Sequence, residues 1–228
     1  MNPVPLSIQL LFILTTLVII WLFYRASQRN KTTLVVIILW GVVVGILGIS
    51  GFYQNFDVIP PRFIFLPIPA FILIIILFFT RSGRSFIDSL DSRWLTLLHT
   101  IRIPAEICLL YIYLSGLIPV TMTFEGFNFD FFSGITAPII YFLAYRSRQL
   151  GSKGLIAWNI VCLLLLINIV TIAILSAKTP FQVLSLDQPN IGITIFPFVW
   201  LPAIVVPLVF LAHVAVIRQL VLEKSVSN

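Results

Sequence analysis

A histidine, an arginine and a glutamate lie within one apolar run and have the side chains for acid–base or ion-binding chemistry. In "HTIRIPAE", residues 99–106, His99, Arg102 and Glu106 occupy positions i, i+3 and i+7. At about 100° per residue, this spacing places the three side chains on one face of a helix. Because Arg102 and Glu106 are also four residues apart, we expect them to form an ion pair. The stretch therefore predicts a polar stripe along one helix.

Further polar residues in apolar runs are candidates for the same site. Counting about 1.5 Å per residue from the basic ends of these runs predicts a similar depth for two histidines and an asparagine, with a second asparagine nearer the midplane. The predicted intramembrane cluster consists of His99, Arg102, Glu106, Asn159, Asn168 and His213. Two histidines at one depth could bind a metal ion or haem, or relay protons. Since no third ligand stands at suitable spacing, we predict no metal site and no cofactor, and only His99 and His213 remain as candidates for either.

A second polar segment, "TFEGFNFDFFSG", precedes a short apolar run at residues 131–145. Because that run is too short to cross the membrane by itself, part of "NFDFF" must enter it, with Asp130 or Ser133 capping the helix. A short, proline-interrupted segment is typical of transporter binding sites. Glu125, Asn128 and Asp130 are therefore candidates for an outward-facing mouth for a cation or solute. The alternative is a capped helix start with solvated carboxylates.

Catalytic motifs are missing from the sequence. It contains no Gly-x-Ser-x-Gly, no His-Glu-x-x-His, no paired intramembrane aspartates and no phosphate-cradling glycine loop. No catalytic residue is predicted, and an enzyme is the less favoured class. Cys108 and Cys162 lie in apolar runs and are interpreted as small buried apolar residues.

The elements that must position these residues are membrane-spanning helices. The 228-residue chain is 60% hydrophobic and 10% charged, with a mean hydropathy of +1.10. A soluble core of this size cannot bury so much apolar surface. The basic residues fall in short loops, so the net charge of +6 indicates membrane orientation and not nucleic-acid binding. We predict one all-α transmembrane domain over residues 1–228, with the lipid bilayer as its partner.

Seven apolar runs are predicted to cross the membrane as helices, because lipid cannot satisfy backbone polar groups and a crossing needs about 20 residues. The six long runs cover residues 6–24, 32–50, 63–80, 94–117, 154–175 and 195–220. The seventh, 131–145, must cross if the basic residues are to collect on one side. The first run lacks a basic leader and a cleavage site, so we expect it to be retained as a span.

The distribution of lysine and arginine predicts the orientation. The residues expected on the cytoplasmic side are Arg25, Arg29, Lys31, Arg81, Arg84, Arg93, Arg146, Arg148, Lys153, Arg218 and Lys224. The opposite side has only Arg62 and Lys178. By the positive-inside rule, the N-terminus lies outside and the C-terminus is cytoplasmic.

An internal repeat is indicated by matching segments. "YRASQRNK" ends the run at 6–24 and "YRSRQLGSK" the run at 131–145, while "LPIPAFILII" in the run at 63–80 parallels "WLPAIVVPLV" in the run at 195–220. These matches predict two parallel halves, 6–80 and 131–220, joined by the helix at 94–117. The alternative is that basic loops and proline-containing spans resemble each other by necessity.

The stretches "HTIRIPAEI", "MTFEGFNFDFFSGITA" and "FPFVWLPAIVVPL" are similar to those of an uncharacterised family of bacterial seven-span integral membrane proteins. That resemblance implies a multi-pass protein of the bacterial inner membrane and no particular activity. In topology alone, the three-plus-one-plus-three arrangement also resembles the SWEET sugar transporters, although the Pro-Gln dipeptide of their PQ-loop relatives is missing. A microbial rhodopsin is excluded because the last run contains no lysine.

Three function classes follow from these observations. The leading interpretation is a transporter of a small solute or ion with a polar intramembrane cavity. The second is a membrane-embedded metal- or haem-binding redox protein or enzyme that uses His99 and His213. The third is a structural or assembly subunit without a ligand, and an oligomer is compatible with all three.

Overall fold

The computed structural model describes residues 3–56 and 58–227, with side chains up to residue 223. The side chain of Lys224, which the charge count assigned to the cytoplasmic side, lies outside the described part. Over the described residues the backbone forms helices and turns and no β-strand, apart from one isolated parallel bridge between Ala177 and Asn190. The predicted all-α class is confirmed.

Nine labels name the α-helices of these described ranges. They are α1 (Leu6–Ala26), α2 (Lys31–Ile49), α3 (Ile68–Phe79), α4 (Arg81–Ser89), α5 (Ser92–Leu98), α6 (Arg102–Leu114), α7 (Phe131–Tyr141), α8 (Ser152–Leu175) and α9 (Val206–Ser227). A 3-10 turn at His99–Ile101 joins α5 to α6, so the two form one rod. A π turn at Phe142–Arg146 continues α7, and another at Leu201–Val205 leads into α9.

Six helices among the described residues are long and apolar enough to cross a membrane. They are Leu6–Ala26, Lys31–Ile49, Arg62–Phe79, Ser92–Leu114, Ser152–Leu175 and Leu201–Glu223. The six long runs predicted from the sequence are thereby confirmed as helices, and the chain is a membrane protein. The last helix begins at Leu201 and not at residue 195, because a 3-10 turn at Gly192–Thr194 and further turns up to Val199 precede it. The seventh run is shorter, with 11 residues in α7 before its π turn.

The rod formed by α5 and α6 lies at the centre of the bundle. In its most apolar window, 61% of the residues are buried, against 22% for α2 and 17% for Arg62–Phe79. Helices α1, α7 and α9 pack against this rod, and α8 packs against α9. His99, Arg102 and Glu106 of the rod are therefore enclosed by other helices, while α2 and α3 are mostly exposed.

The basic segments of the chain meet at one end of the bundle. Three side-chain hydrogen bonds join the segment around α4 to the other basic segments. Gln28 Nε2, after α1, donates to Ser89 O at 2.7 Å, and Tyr145 Oη, after α7, donates to Ser92 O at 3.2 Å. Arg218 Nε, near the end of α9, donates to Asp88 Oδ1 at 2.8 Å. At another place, Ile191 N donates to Leu117 O at 2.9 Å. This bond joins the segment after α6 to the segment before α9.

Helix α2 is attached to the bundle by a stripe of small residues. Its buried positions are Gly41, Val44, Gly45 and Gly48. Trp200 Nε1 donates to Gly41 O at 2.8 Å across this contact. A Cβ atom on Gly48 would come within 3.0 Å of the Val199 side chain. Small residues allow helix backbones to approach closely in membranes, where no hydrophobic effect drives their association.

Gly48→Leu is expected to destabilise the protein by about 1–3 kcal/mol, because the larger side chain overfills the contact between α2 and Val199. Unfolding by SDS in dodecylmaltoside micelles, followed by tryptophan fluorescence, measures the change. The matched control is Val42→Leu on the outer face of α2, where Val42 is 51% exposed. Equal effects of the two substitutions would show that the glycine stripe does not attach α2.

Candidate functional site

Arg102 lies at the centre of a buried polar network within the bundle. The network consists of His99, Arg102, Glu106, Asn128, Asp130, Asn159 and His213, all of which are buried. Arg102, the first residue of α6, donates from Nη1 to Asp130 Oδ1 at 2.6 Å. From Nη2 it donates to His213 Nε2 at 3.0 Å. The guanidinium therefore joins α6 to the start of α7 and to α9.

The hydrogen bonds fix the tautomer of His213. An arginine can only donate, so Nε2 of His213 must accept and the imidazole is neutral. Its proton therefore lies on Nδ1, which donates to Asn159 Oδ1 at 2.9 Å. The amide of Asn159 is oriented in turn, because its Nδ2 donates to Leu155 O at 2.9 Å. Both ring nitrogens of His213 are thus engaged within the protein.

The imidazole of His99 packs against two neighbouring rings. It stacks on the imidazole of His213, with ring centroids 3.9 Å apart and planes at 13°. Trp158 packs edge-on against it at 5.5 Å. Neither ring nitrogen of His99 has a hydrogen-bond partner among the residues that the structure describes. His99 therefore keeps one donor and one acceptor available.

Glu106 is the carboxylate of the network that no cation compensates directly. Its Oε1 accepts a hydrogen bond from Asn128 Nδ2 at 2.5 Å. Its Oε2 has no partner within residues 3–56 and 58–223. Asn128 also donates to Met122 O at 3.1 Å and accepts from Asp130 N at 3.0 Å. An amide thus holds Glu106, and the same amide holds the loop that carries Asp130.

The predicted ion pair between Arg102 and Glu106 is wrong, because Arg102 pairs with Asp130. Both side chains have other partners, because the guanidinium of Arg102 bonds to Asp130 and His213, while Glu106 accepts from Asn128. The loop at residues 123–130, called here the fold-back loop, returns into the bundle before α7 begins. It brings Asp130 to Arg102. The partner therefore comes from 28 residues away in sequence.

The predicted outward mouth divides into two environments. Glu125 is exposed, whereas Asn128 and Asp130 turn inward and join the network. The expected helix cap is also wrong. Asp130 occupies the N-cap position of α7, but within the described structure its side chain makes no capping hydrogen bond to a backbone N–H of this helix. The carboxylate of Asp130 points to Arg102 instead. Ser133 is buried one turn into α7.

Asn168, placed by the sequence analysis in the intramembrane cluster, lies on the exposed side of α8. Its Nδ2 donates to Phe127 O at 2.9 Å. Asn159 and Asn168 are nine residues apart, which is two and a half helical turns, so they project from opposite sides of the helix. Only Asn159 reaches the network.

A cavity of about 370 Å³ adjoins the network between α3, α6, α8 and the start of α9. Arg102, Glu106 and Asp130 contribute the charged part of its wall. The remaining wall is formed by apolar side chains and prolines, whereas the sequence analysis expected a polar cavity. The volume lies within the range of about 300–1,000 Å³ usual for ligand pockets.

No group of three histidine, cysteine, aspartate or glutamate side chains that could hold a metal ion occurs in the described part of the chain. The lone pair of His213 Nε2 is used by Arg102, and Nδ1 carries the proton. His213 is therefore held as a hydrogen-bonding group between Arg102 and Asn159.

In a comparison with known protein families, the model described as Domain of unknown function (DUF8737) matches residues 59–221. This range includes every residue of the buried network and leaves out α1 and α2. Neither the curated proteins nor the solved structures contain a significant match to the chain.

Proposed function

The chain belongs to the DUF8737 family, and from that premise we propose that it is a transporter that moves a small solute or ion across the membrane. The buried polar network is the site, and Glu106 is the group that exchanges a proton or a solute. The observation that carries this proposal is the uncompensated carboxylate of Glu106 beside a cavity inside a membrane protein.

Energetics support a functional role for Glu106. A charged side chain at mid-membrane costs about 2.5–3.5 kcal/mol on insertion scales, and such residues mark substrate or ion pathways by default. Arg102 and Asp130 offset this cost by pairing with each other. Among the described residues, Glu106 has the amide of Asn128 as its one side-chain hydrogen-bond partner. The bond to Asn128 gives Glu106 a structural contact but does not compensate a buried carboxylate, and transport is the class that best accounts for such a group beside a cavity.

Glu106→Gln is expected to abolish protein-dependent proton movement. Proteoliposomes loaded with the pH dye pyranine and energised by a potassium diffusion potential measure the rate of internal acidification. The amide keeps the shape of the carboxyl group but cannot take up a proton. The matched control is Glu125→Gln, which changes the exposed carboxylate of the outer loop and should retain the full rate. Wild-type flux equal to that of empty vesicles, or unchanged by Glu106→Gln, would overturn the proposal.

We place the protein in the bacterial inner membrane with seven spans, the N-terminus outside and the C-terminus cytoplasmic. The meeting of the basic segments at one end of the bundle supports this topology, because α7 then has to run from the opposite side to Tyr145 beside Ser92. The fold-back loop supplies the length that α7 lacks.

The single domain over residues 1–228 and the parallel repeat remain predictions. If the repeat is real, superposing α1–α3 on α7–α9 should align Tyr24 with Tyr145 and Pro69 with Pro202.

Truncated fusions to alkaline phosphatase, which is active only in the periplasm, test the seventh crossing. A fusion after Gln149 is expected to be inactive, because α7 has returned the chain to the cytoplasm. A fusion after Asp187 is expected to be active, because α8 has crossed again. With the N-terminus outside, six spans without α7 would reverse both results.

A further inference from the structure

We propose that the cavity beside the network binds a small cationic amphiphile, a primary alkylammonium. Its alkyl chain lies among the apolar side chains, and its ammonium group donates to Glu106. This proposal rests on the proposed function and names the substrate class for the same site.

The wall of the cavity fits an alkyl chain. Apolar side chains come from four elements, including Phe71 of α3, Leu109 of α6, Ile169 of α8 and Val209 of α9. A polar or fully hydrated solute would lose its water in such a cavity without gaining hydrogen bonds in return. An alkyl chain loses nothing there and fills the volume.

The cavity adjoins the lipid-facing surface of the bundle. Ile68 of α3 and Ile174 of α8 both line it, and they are 43% and 53% exposed. In a membrane, that exposure is to lipid. A ligand with an alkyl chain reaches this position by partitioning into the bilayer first, so the route favours an amphiphile over a water-soluble ion.

The charges of the wall favour a cation. Arg102 uses both terminal nitrogens, one on Asp130 and one on His213. The charge of Asp130 is thereby matched, and Glu106 is the acidic group of the wall that remains without a cation in the described structure. Its Oε2 lacks a partner in the described structure, and the residue is only 5% exposed. A primary ammonium carries a positive charge and three hydrogen-bond donors, so it can supply both the missing cation and the missing donor to Glu106 Oε2.

An anionic amphiphile is the competing ligand chemistry. Arg102 Nε also lacks a partner among the described side chains and would attract a carboxylate. Such a head group would then lie close to two carboxylates, Glu106 and Asp130. Like charges at short distance repel, so the anion should bind less well than the cation.

Three probes with the same ten-carbon tail separate these possibilities: decylammonium, decanol and decanoate. Binding to the full-length protein in a nonionic detergent is measured by equilibrium dialysis and by the shift of the unfolding temperature. We expect saturable binding of decylammonium that is about tenfold or more tighter than that of the other two probes. Equal affinity for all three probes would show nonspecific binding to an apolar surface. Tighter binding of decanoate would show that Arg102, and not Glu106, recognises the head group. Either result overturns the proposal.

Variants locate the ammonium group. Glu106→Gln is expected to reduce decylammonium affinity to that of decanol, and Glu223→Gln, at an exposed carboxylate near the end of α9, to leave it unchanged. Should Glu106→Gln fail to fold, Glu106→Asp keeps the charge and should retain the preference for the cation, while Ala173→Leu fills the cavity and should abolish binding of decylammonium. Unchanged binding in Glu106→Gln or in Ala173→Leu contradicts the assignment. These binding measurements are independent of the flux assay. If the wild-type protein moves protons but does not prefer decylammonium, only the proposal of an alkylammonium ligand is overturned. If it prefers decylammonium but moves no protons, only the proposed transport function is overturned.

Discussion

Arg102→Ala is expected to lower the free energy of unfolding by about 3–5 kcal/mol, because it leaves the buried carboxylate of Asp130 without its cation. The Arg102 and Asp130 side chains are 3% and 9% exposed, so water cannot take the place of the lost partner. The substitution also removes the donor to His213 Nε2. SDS unfolding in dodecylmaltoside micelles measures the change.

The control for this prediction is a surface pair of the same chemistry. Arg218 and Asp88 form two hydrogen bonds of 2.8 and 3.0 Å, but their side chains are 26% and 36% exposed. Arg218→Ala is expected to cost only about 0–1 kcal/mol, because solvent screens exposed pairs. Equal costs for Arg102→Ala and Arg218→Ala would contradict the role assigned to the buried pair.

A double-mutant cycle identifies the partner of Arg102. Once Asp130 has been replaced by alanine, removing Arg102 strands no anion in direct contact with it, so the double variant should be less destabilised than the sum of the single changes. The same cycle with Glu106 should show a smaller coupling, because no hydrogen bond joins Glu106 to Arg102. A larger coupling to Glu106 than to Asp130 would restore the pair predicted from the i, i+4 spacing.

Gly134→Leu is expected to cost about 3 kcal/mol or more, since it combines overpacking with partial loss of the buried ion pair. A Cβ atom at Gly134 would lie 2.9 Å from Ile103 Cγ1 and 3.1 Å from Ile103 N. Helix α7 must therefore move away from α6 to make room for any side chain. That movement separates Asp130 from Arg102.

Two comparisons test the cause of the Gly134 effect. Ile135→Leu changes the neighbouring residue, which is 47% exposed, and should be close to neutral. In the background of Asp130→Ala, Gly134→Leu should cost less, because the ion pair is already absent. An undiminished cost in that background would show that overpacking alone accounts for the result.

Helix positions followed from the sequence because lipid leaves the backbone few choices. An apolar run of about 20 residues in a bilayer has to be helical, so length and hydropathy located the six long spans. The same reasoning failed at the start of the last span, where turns precede Leu201. Hydropathy does not distinguish an apolar turn such as "IFPFVW" from the helix that follows it.

The site was only partly predictable. The spacing of His99, Arg102 and Glu106 indicated a shared helix face, and all three are buried. Their partners were not predictable by local rules, because the pairing depends on a loop that folds back from a distant part of the chain. A local signal did exist in "FNFDF": Phe127 and Phe129 are 62% and 45% exposed, while the intervening asparagine and the following aspartate are buried. In a membrane, this alternation indicates an extended segment with its polar side turned inward.

The fold-back loop constrains the order in which the chain assembles during synthesis. Before its partners arrive, the segment with Asp130 and the short α7 is a poor candidate for insertion by itself, because it combines a carboxylate with too few apolar residues. Arg102 has already been synthesised at that point, but His213 emerges more than 80 residues after Asp130. Asp130 can therefore pair with Arg102 before α9 is made, whereas the bond from Arg102 to His213 has to wait for α9. We expect the polar network to be complete only when α9, its last element in the chain, has joined the bundle.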